Sequence, residues 1–223
     1  MVAKNTFFFF LSSSSAAMGL ELALSHNFQE ALPLATGILI PSVTMSGVFL
    51  VAAKRTALGS FGGSLLKGFS ATDLAVEATK AALNSASIDP ELIDNCFVGN
   101  VIQSSADAAY LARHVALRSG CQQTTPSLTI NRLCGSGFET VVLASQAIQS
   151  NDASLVIAGG TENMSDAPLS VAGNHARWGV KLGTGLKMRD ALWDGLTDSH
   201  AGTPMGVTAE NLAKKYGITR EVS

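Results

Sequence analysis

The residue type and setting best suited to chemistry in this sequence belong to Cys134, within Asn131-Arg-Leu-Cys-Gly-Ser-Gly-Phe138. A β-type run, Leu128–Asn131, enters the motif after Pro126, and a helical pattern leaves it, with Val141, Ala144, Ser145 and Ile148 at helical spacing. A sulfur at such a junction lies beside the first free backbone N–H groups of the helix, and the positive end of the helix dipole favours its thiolate. At a free-thiol pKa of about 8.5 only ~3% is ionised at pH 7, and lowering by about one unit raises that to roughly a quarter. Gly135 and Gly137 leave the backbone open to close approach by a substrate or a neighbouring strand. The residues alone keep two readings of Cys134 open, a core thiol and a nucleophile. The histidines are weaker candidates. His114 falls mid-helix and reads as structural, while His175 and His200 fall in a loop.

The elements that must hold Cys134 alternate along the chain. Val48–Ala53 is a continuous apolar run, as in a strand covered on both faces. A Gly-rich loop over 57–69 follows, and Ser70-Ala-Thr-Asp73 caps a helix running to Ser85, with Leu74, Ala78, Ala81 and Ala82 as its stripe. Cys96–Gly99 reads as strand, Asp107–Arg118 as helix closed by Gly120, and Ser154–Ala158 as strand. This alternation predicts an α/β fold built on a largely parallel sheet with helices on both faces. Beyond Met164 the periodicity breaks, so 166–206 is expected to be an extended loop region, of a length usually tied to function. Thr208 is expected to cap a helix through Tyr216, and Thr219–Ser223 reads as the first turn of another.

Composition narrows the function. Charged residues are 14% of the chain against 47% hydrophobic, which points to surface meant to be covered by another chain or segment. A net charge of −2 with no basic stripe argues against nucleic-acid binding. Three cysteines without a C-x-x-C spacing suit a reducing compartment and argue against a zinc site or a disulfide framework. Gly183-Thr-Gly-Leu-Lys187 lacks the spacing of a phosphate-cradling loop, and the Asn163-Met-Ser165 sequon is expected to be silent in a reducing compartment. Residues 1–44 hold a Phe7–Phe10 run, Ser12–Ser15 and a loosely apolar stretch. No apolar run reaches the ~18 residues of a membrane span. No Arg precedes Arg55, unlike a mitochondrial transit peptide. This leader is expected to be disordered, with the functional protein beginning near Met45.

The Asn131–Phe138 string resembles the nucleophile motif of the thiolases, the acyl-CoA C-acyltransferases. Val51–Thr56, Gly99–Ser104, Gly159-Gly-Thr-Glu-Asn-Met-Ser165 and Met205–Leu212 match the family in the same order. The likeness covers 46–223 and is nearest to the mitochondrial 3-ketoacyl-CoA thiolases of fatty-acid β-oxidation. It implies the N-terminal half of a thiolase-like layered αβαβα fold, divided into a 1–44 leader, a 45–163 α/β core and the start of a substrate and CoA-binding loop region over 164–223. It implies thiolytic acyl transfer between 3-ketoacyl-CoA and CoA with Cys134 as nucleophile, Leu196 and Met205 lining the pantetheine and acyl pocket, and no cofactor or metal. CoA and acyl-CoA enter as substrates. A homodimer or homotetramer and a mitochondrial location are further implications. The family's Gly-His-Pro, Cys-x-Gly-Gly-Gly and Asn-Glu-Ala-Phe motifs do not occur after Cys134. The chain alone is therefore expected to lack turnover. A non-catalytic partner of a thiolase, an acyl-CoA binder and a lipid-transfer thiolase remain as alternatives.

Overall fold

The computed structural model describes residues 7–13, 47–63 and 68–222. Its frame is a five-stranded sheet of β1 (Phe7–Ser13), β2 (Val48–Arg55), β3 (Asn95–Gly99), β4 (Ser127–Ile130) and β5 (Leu155–Gly160), in the order β2-β1-β5-β3-β4. β3 lies parallel to β4 and to β5, whereas β1 runs antiparallel to both β2 and β5. β2 therefore points the same way as β3, β4 and β5, and the parallel set expected from the alternation is present with one reversed strand inside it.

That reversed strand comes from the leader. Residues 7–13, expected to be disordered, pair along β2 and β5, while the rest of 1–44 lies outside the described residues. The physical reason is backbone pairing. Two strand edges facing one another across a gap carry N–H and C=O groups that need partners, and a run of Phe has high β propensity.

Helices α1 (Ala71–Ser85) and α2 (Leu111–Arg118) cover one face, and α3 (Ser136–Gln149) covers the other. Alternation along the strands sorts the side chains. Cys96, Val98, Leu155 and Ile157 pack with Ala75, Leu83, Leu111 and Val115. Val156 and Ala158 pack with Ala144 and Ile148, and Phe97 and Val141 lean on the same cluster. Each fully buried Leu, Ile or Val contributes roughly 1.5–3 kcal/mol. At the start of α1 the expected capping box forms. Ser70 Oγ accepts from Asp73 N–H at 3.0 Å, and Ser70 N–H donates to Asp73 Oδ2 at 2.9 Å. The Asp107–Arg118 segment begins as a 3₁₀ turn, Ala108–Tyr110, before α2.

The region 166–206 is more ordered than its lack of periodicity predicts. It holds paired strands Leu169–Val171 and Met188–Asp190, a short helix α4 (Ala191–Leu196) and the two-residue pair Thr197–Asp198 with Thr203–Pro204. The final helix, α5, spans Met205–Tyr216 with Pro204 at its N-cap, so Thr208 lies inside it rather than capping it. Proline can neither donate a backbone N–H nor continue a helix N-terminally, which places the start there. Gly217 closes α5 in the left-handed conformation, φ 65°.

What positions α3 is a close backbone crossing. A Cβ on Gly99 would lie 2.7 Å from Ser136 C and 2.8 Å from Gly137 N, and one on Gly160 would lie 3.2 Å from Gly137 Cα. The first turn of α3 thus rests directly on the ends of β3 and β5. Gly99→Ala is expected to push the helix off and to destabilise the chain by about 1–3 kcal/mol, measured by urea unfolding with an unchanged m-value.

Candidate active site

Cys134 occupies the elbow between β4 and α3, after the N-terminal half of the motif has turned sharply. Leu133, immediately before it, has φ 51°, a conformation that side chains other than glycine rarely adopt. Two neighbours hold this turn. Asn131 Oδ1 accepts from Leu133 N–H at 3.0 Å, as in an Asx turn. The buried Ser136 hydroxyl accepts from Arg132 N–H at 2.8 Å and donates to Leu133 C=O at 2.6 Å. Arg132 also pairs with Glu139 in the first turn of α3. Gly135 is the N-cap of α3, so Cys134 stands one residue before it, close to the helix N-terminus as the spacing predicts. Its side chain is exposed.

The other two cysteines are of a different kind. Cys96 and Cys121 are buried in the core under α1 and α2. Burial pushes the Cys96 thiol far up, with the nearby Cys121 adding to it, and burial raises Cys121 to about 11. An alkylating reagent at neutral pH is therefore expected to modify Cys134 first. Peptide mapping after brief iodoacetamide treatment checks this, and preferential labelling of Cys96 or Cys121 contradicts it.

The ends of β3, β4 and β5 meet at this elbow, which is where open parallel sheets place their sites. A glutamate not singled out in the sequence organises the convergence. Glu162, just past β5, accepts from Val101 N–H at 2.9 Å, Ile102 N–H at 3.2 Å and Asn100 Nδ2 at 3.1 Å. Asn100 Nδ2 also donates to Thr161 C=O at 3.0 Å, and Asn131 Nδ2 reaches Val101 C=O at 3.4 Å. A continuous set of hydrogen bonds thus runs from Glu162 through the loop after β3 to the turn that presents Cys134. The available signal was its place in Gly159-Gly-Thr-Glu-Asn-Met-Ser165, just after an apolar strand ending in two glycines. Asn163 beside it is fully buried and donates to Phe69 C=O at 2.7 Å, an internal role consistent with an unmodified sequon.

Leu196 and Met205 are brought together, though not onto the elbow. Thr197 pairs with Pro204, so Leu196 and Met205 flank the base of one hairpin. Leu196 ends α4 half-buried, and Met205 begins α5 exposed. The link to Cys134 runs through Ile102. A Cβ on Gly195 would lie 2.5 Å from Ile102 Cδ1, so α4 is seated against the loop that Glu162 holds. His114 Nδ1 is 3.0 Å from Asp107 Oδ2 and its ring stacks on Tyr110, a structural engagement in keeping with its reading. His200 is exposed in the turn of the hairpin. A shallow depression at the opposite end of the strands is lined by residues that include Glu91, Asp94, Gln122, Thr124 and Thr125, and none of its lining residues is a cysteine. Among the described residues no group of His, Cys, Asp and Glu side chains is arranged to hold a metal ion, and no helix is long and apolar enough to cross a membrane.

Comparison with known proteins identifies the scaffold. The model of the thiolase N-terminal domain matches residues 48–223. The chain belongs to the thiolase family. It is 58% identical over 177 residues to the rat mitochondrial 3-ketoacyl-CoA thiolase and 55% identical to the human one. It is 46% identical over 178 residues to the Escherichia coli acetyl-CoA acetyltransferase. These alignments take in 79–80% of this chain but 44% of each relative, so the chain spans less than half their length. The crystal structure of human mitochondrial 3-ketoacyl-CoA thiolase in complex with CoA superposes with a TM-score of 0.73 at 55% identity, over 77% of this chain and 43% of that one. The thiolase-like N-terminal βα architecture is thus present, with the elbow inside the matched segment.

Glu162 yields a pH dependence. Burial raises its pKa above the unfolded 4.5, and the hydrogen bonds from Val101, Ile102 and Asn100 only partly offset this. The folded chain then holds this proton more tightly than the unfolded one. The resulting stability is present below 4.5 and is lost as pH rises through the folded value. Glu162→Gln is expected to flatten that dependence, so that wild type gains on the variant as pH falls through this window. Urea unfolding at several pH values measures the difference.

Proposed function

We propose that this chain supplies the nucleophile-bearing part of a 3-ketoacyl-CoA thiolase site, and the observation that carries the reading is the exposed Cys134 on a hydrogen-bonded elbow at the N-terminus of α3. The Cys134 thiolate adds to the 3-keto carbon of a 3-ketoacyl-CoA. The Cα–Cβ bond breaks, its electron pair leaves on acetyl-CoA as the enolate, and a proton completes acetyl-CoA. The shortened acyl group stays on sulfur until CoA takes it as a thioester and the thiolate returns. Covalent catalysis of this kind divides one difficult cleavage into two easier steps. Backbone N–H groups at the head of α3, that of Cys134 included, are suited to stabilising the thioester oxygen as it gains charge. Leu196 and Met205, at the base of one hairpin, offer apolar surface for the pantetheine and acyl chain.

Identity of 55–58% to mitochondrial thiolases supports the same substrate class and a mitochondrial location. The family likeness supports a homodimeric or homotetrameric assembly. Proton transfer to and from the reacting carbon needs groups that the described residues do not place beside Cys134. General acid–base help is worth about 10²–10⁴-fold, so the chain alone is expected to acylate without turning over. Incubation with acetyl-CoA should add one acetyl group, located at Cys134 by mass spectrometry and absent from Cys134→Ser. Leu196→Ala should slow this acylation about threefold to tenfold through lost apolar contact with the acyl-CoA, while leaving the rate of iodoacetamide alkylation unchanged. Steady thiolysis by the purified chain, or acetyl transfer that survives Cys134→Ser, would overturn the assignment.

A further inference from the structure

We infer that Phe7–Ser13 is a stand-in strand, occupying from outside the family-matched segment a slot between β2 and β5 that takes one antiparallel strand. The topology carries this. The thiolase match begins at residue 48, after β1, yet β1 is interior to the sheet. Among the described residues β2 is an edge strand with β1 as its neighbour, and β5 meets β1 on one side and β3 on the other. Taken alone, the matched segment therefore leaves β2 unpaired and one edge of β5 open.

The pairing is extensive. β1 is in register with β2 from Phe7↔Arg55 to Ser13↔Val48, with one shift between Phe10 and Leu11, and with β5 from Phe7↔Gly160 to Ser12↔Leu155. An exposed strand edge is a template for another strand, and buried backbone groups demand partners. The β5 edge is the more demanding of the two, because Val156, Ile157 and Ala158 are fully buried. An extended apolar segment of this chain meets that demand here. The slot is thus an interaction surface for an extended strand, and any strand offered by another polypeptide must displace Phe7–Ser13 to enter it.

Cross-linking in the full chain tests the register. In a Cys134→Ser background, Phe9→Cys combined with Ala53→Cys places two thiols on paired positions, and oxidation is expected to join them. Phe9→Cys with Leu50→Cys, out of register, is expected to stay reduced. Deleting residues 1–46 is expected to speed amide exchange in β2 by about tenfold or more, since its backbone partners are gone. A deletion chain too unstable to fold agrees with that expectation, and the cross-link decides independently. Failure of the in-register pair to oxidise, or unchanged β2 protection after the deletion, overturns the inference. Neither readout involves acyl transfer, so this result stands apart from the fate of the proposed chemistry.

Discussion

The whole arrangement depends on how closely one helix can approach the sheet. Gly99 and Gly160 end neighbouring parallel strands, and Gly137 opens the helix that lies over them. With no side chain at these positions, backbone packs on backbone: a Cβ added to Gly99 or Gly160 would lie only 2.7–3.2 Å from atoms at the head of α3. Helix-on-sheet packing elsewhere in the molecule passes through side chains such as Ala144 and Ile148. Here that layer is missing, and the N–H groups at the head of α3 are brought level with the strand ends. The chemistry proposed for Cys134 needs donors at a fixed height relative to the sulfur, and the crossing sets that height.

Around this contact the polar groups divide the work by location. Ser136 and Asn131 act within the turn itself and hold Leu133 in its left-handed conformation. Glu162 acts across the strand ends and ties the loop after β3 to the segment after β5. Its carboxylate is partly buried, which costs solvation, and three donors offset part of that cost. A charged group in such a place fixes geometry more than it adds stability. The same loop seats α4 through Ile102, so the hairpin bearing Leu196 and Met205 is referenced to the frame that presents the thiol.

Much of this was legible in residue order. The cysteine at a strand-to-helix junction, the Ser70–Asp73 cap and the sorting of apolar residues between two faces all follow from local spacing. Three things did not. The antiparallel strand came from a Phe run without period-2 alternation, in a segment that looked like a leader, and only the gap between two distant strands gives it a role. Glu162 lay within a matched motif without a role of its own, because its partners, Asn100, Val101 and Ile102, lie some sixty residues earlier. The cap of α5 was placed at Thr208 because a hydroxyl is a common cap, while Pro204 caps the helix four residues earlier by steric restriction.

Helix α5 has twelve residues, and none of them is buried. Met205, Leu212 and Tyr216 recur along its length and stay 42%, 48% and 65% exposed. Isolated helices of about this length are marginal in water, because nucleation is costly and few turns repay it. Burial within the described residues therefore contributes little to holding α5 in place. Whatever comes to rest against that stripe sets how long Met205 keeps its place beside Leu196.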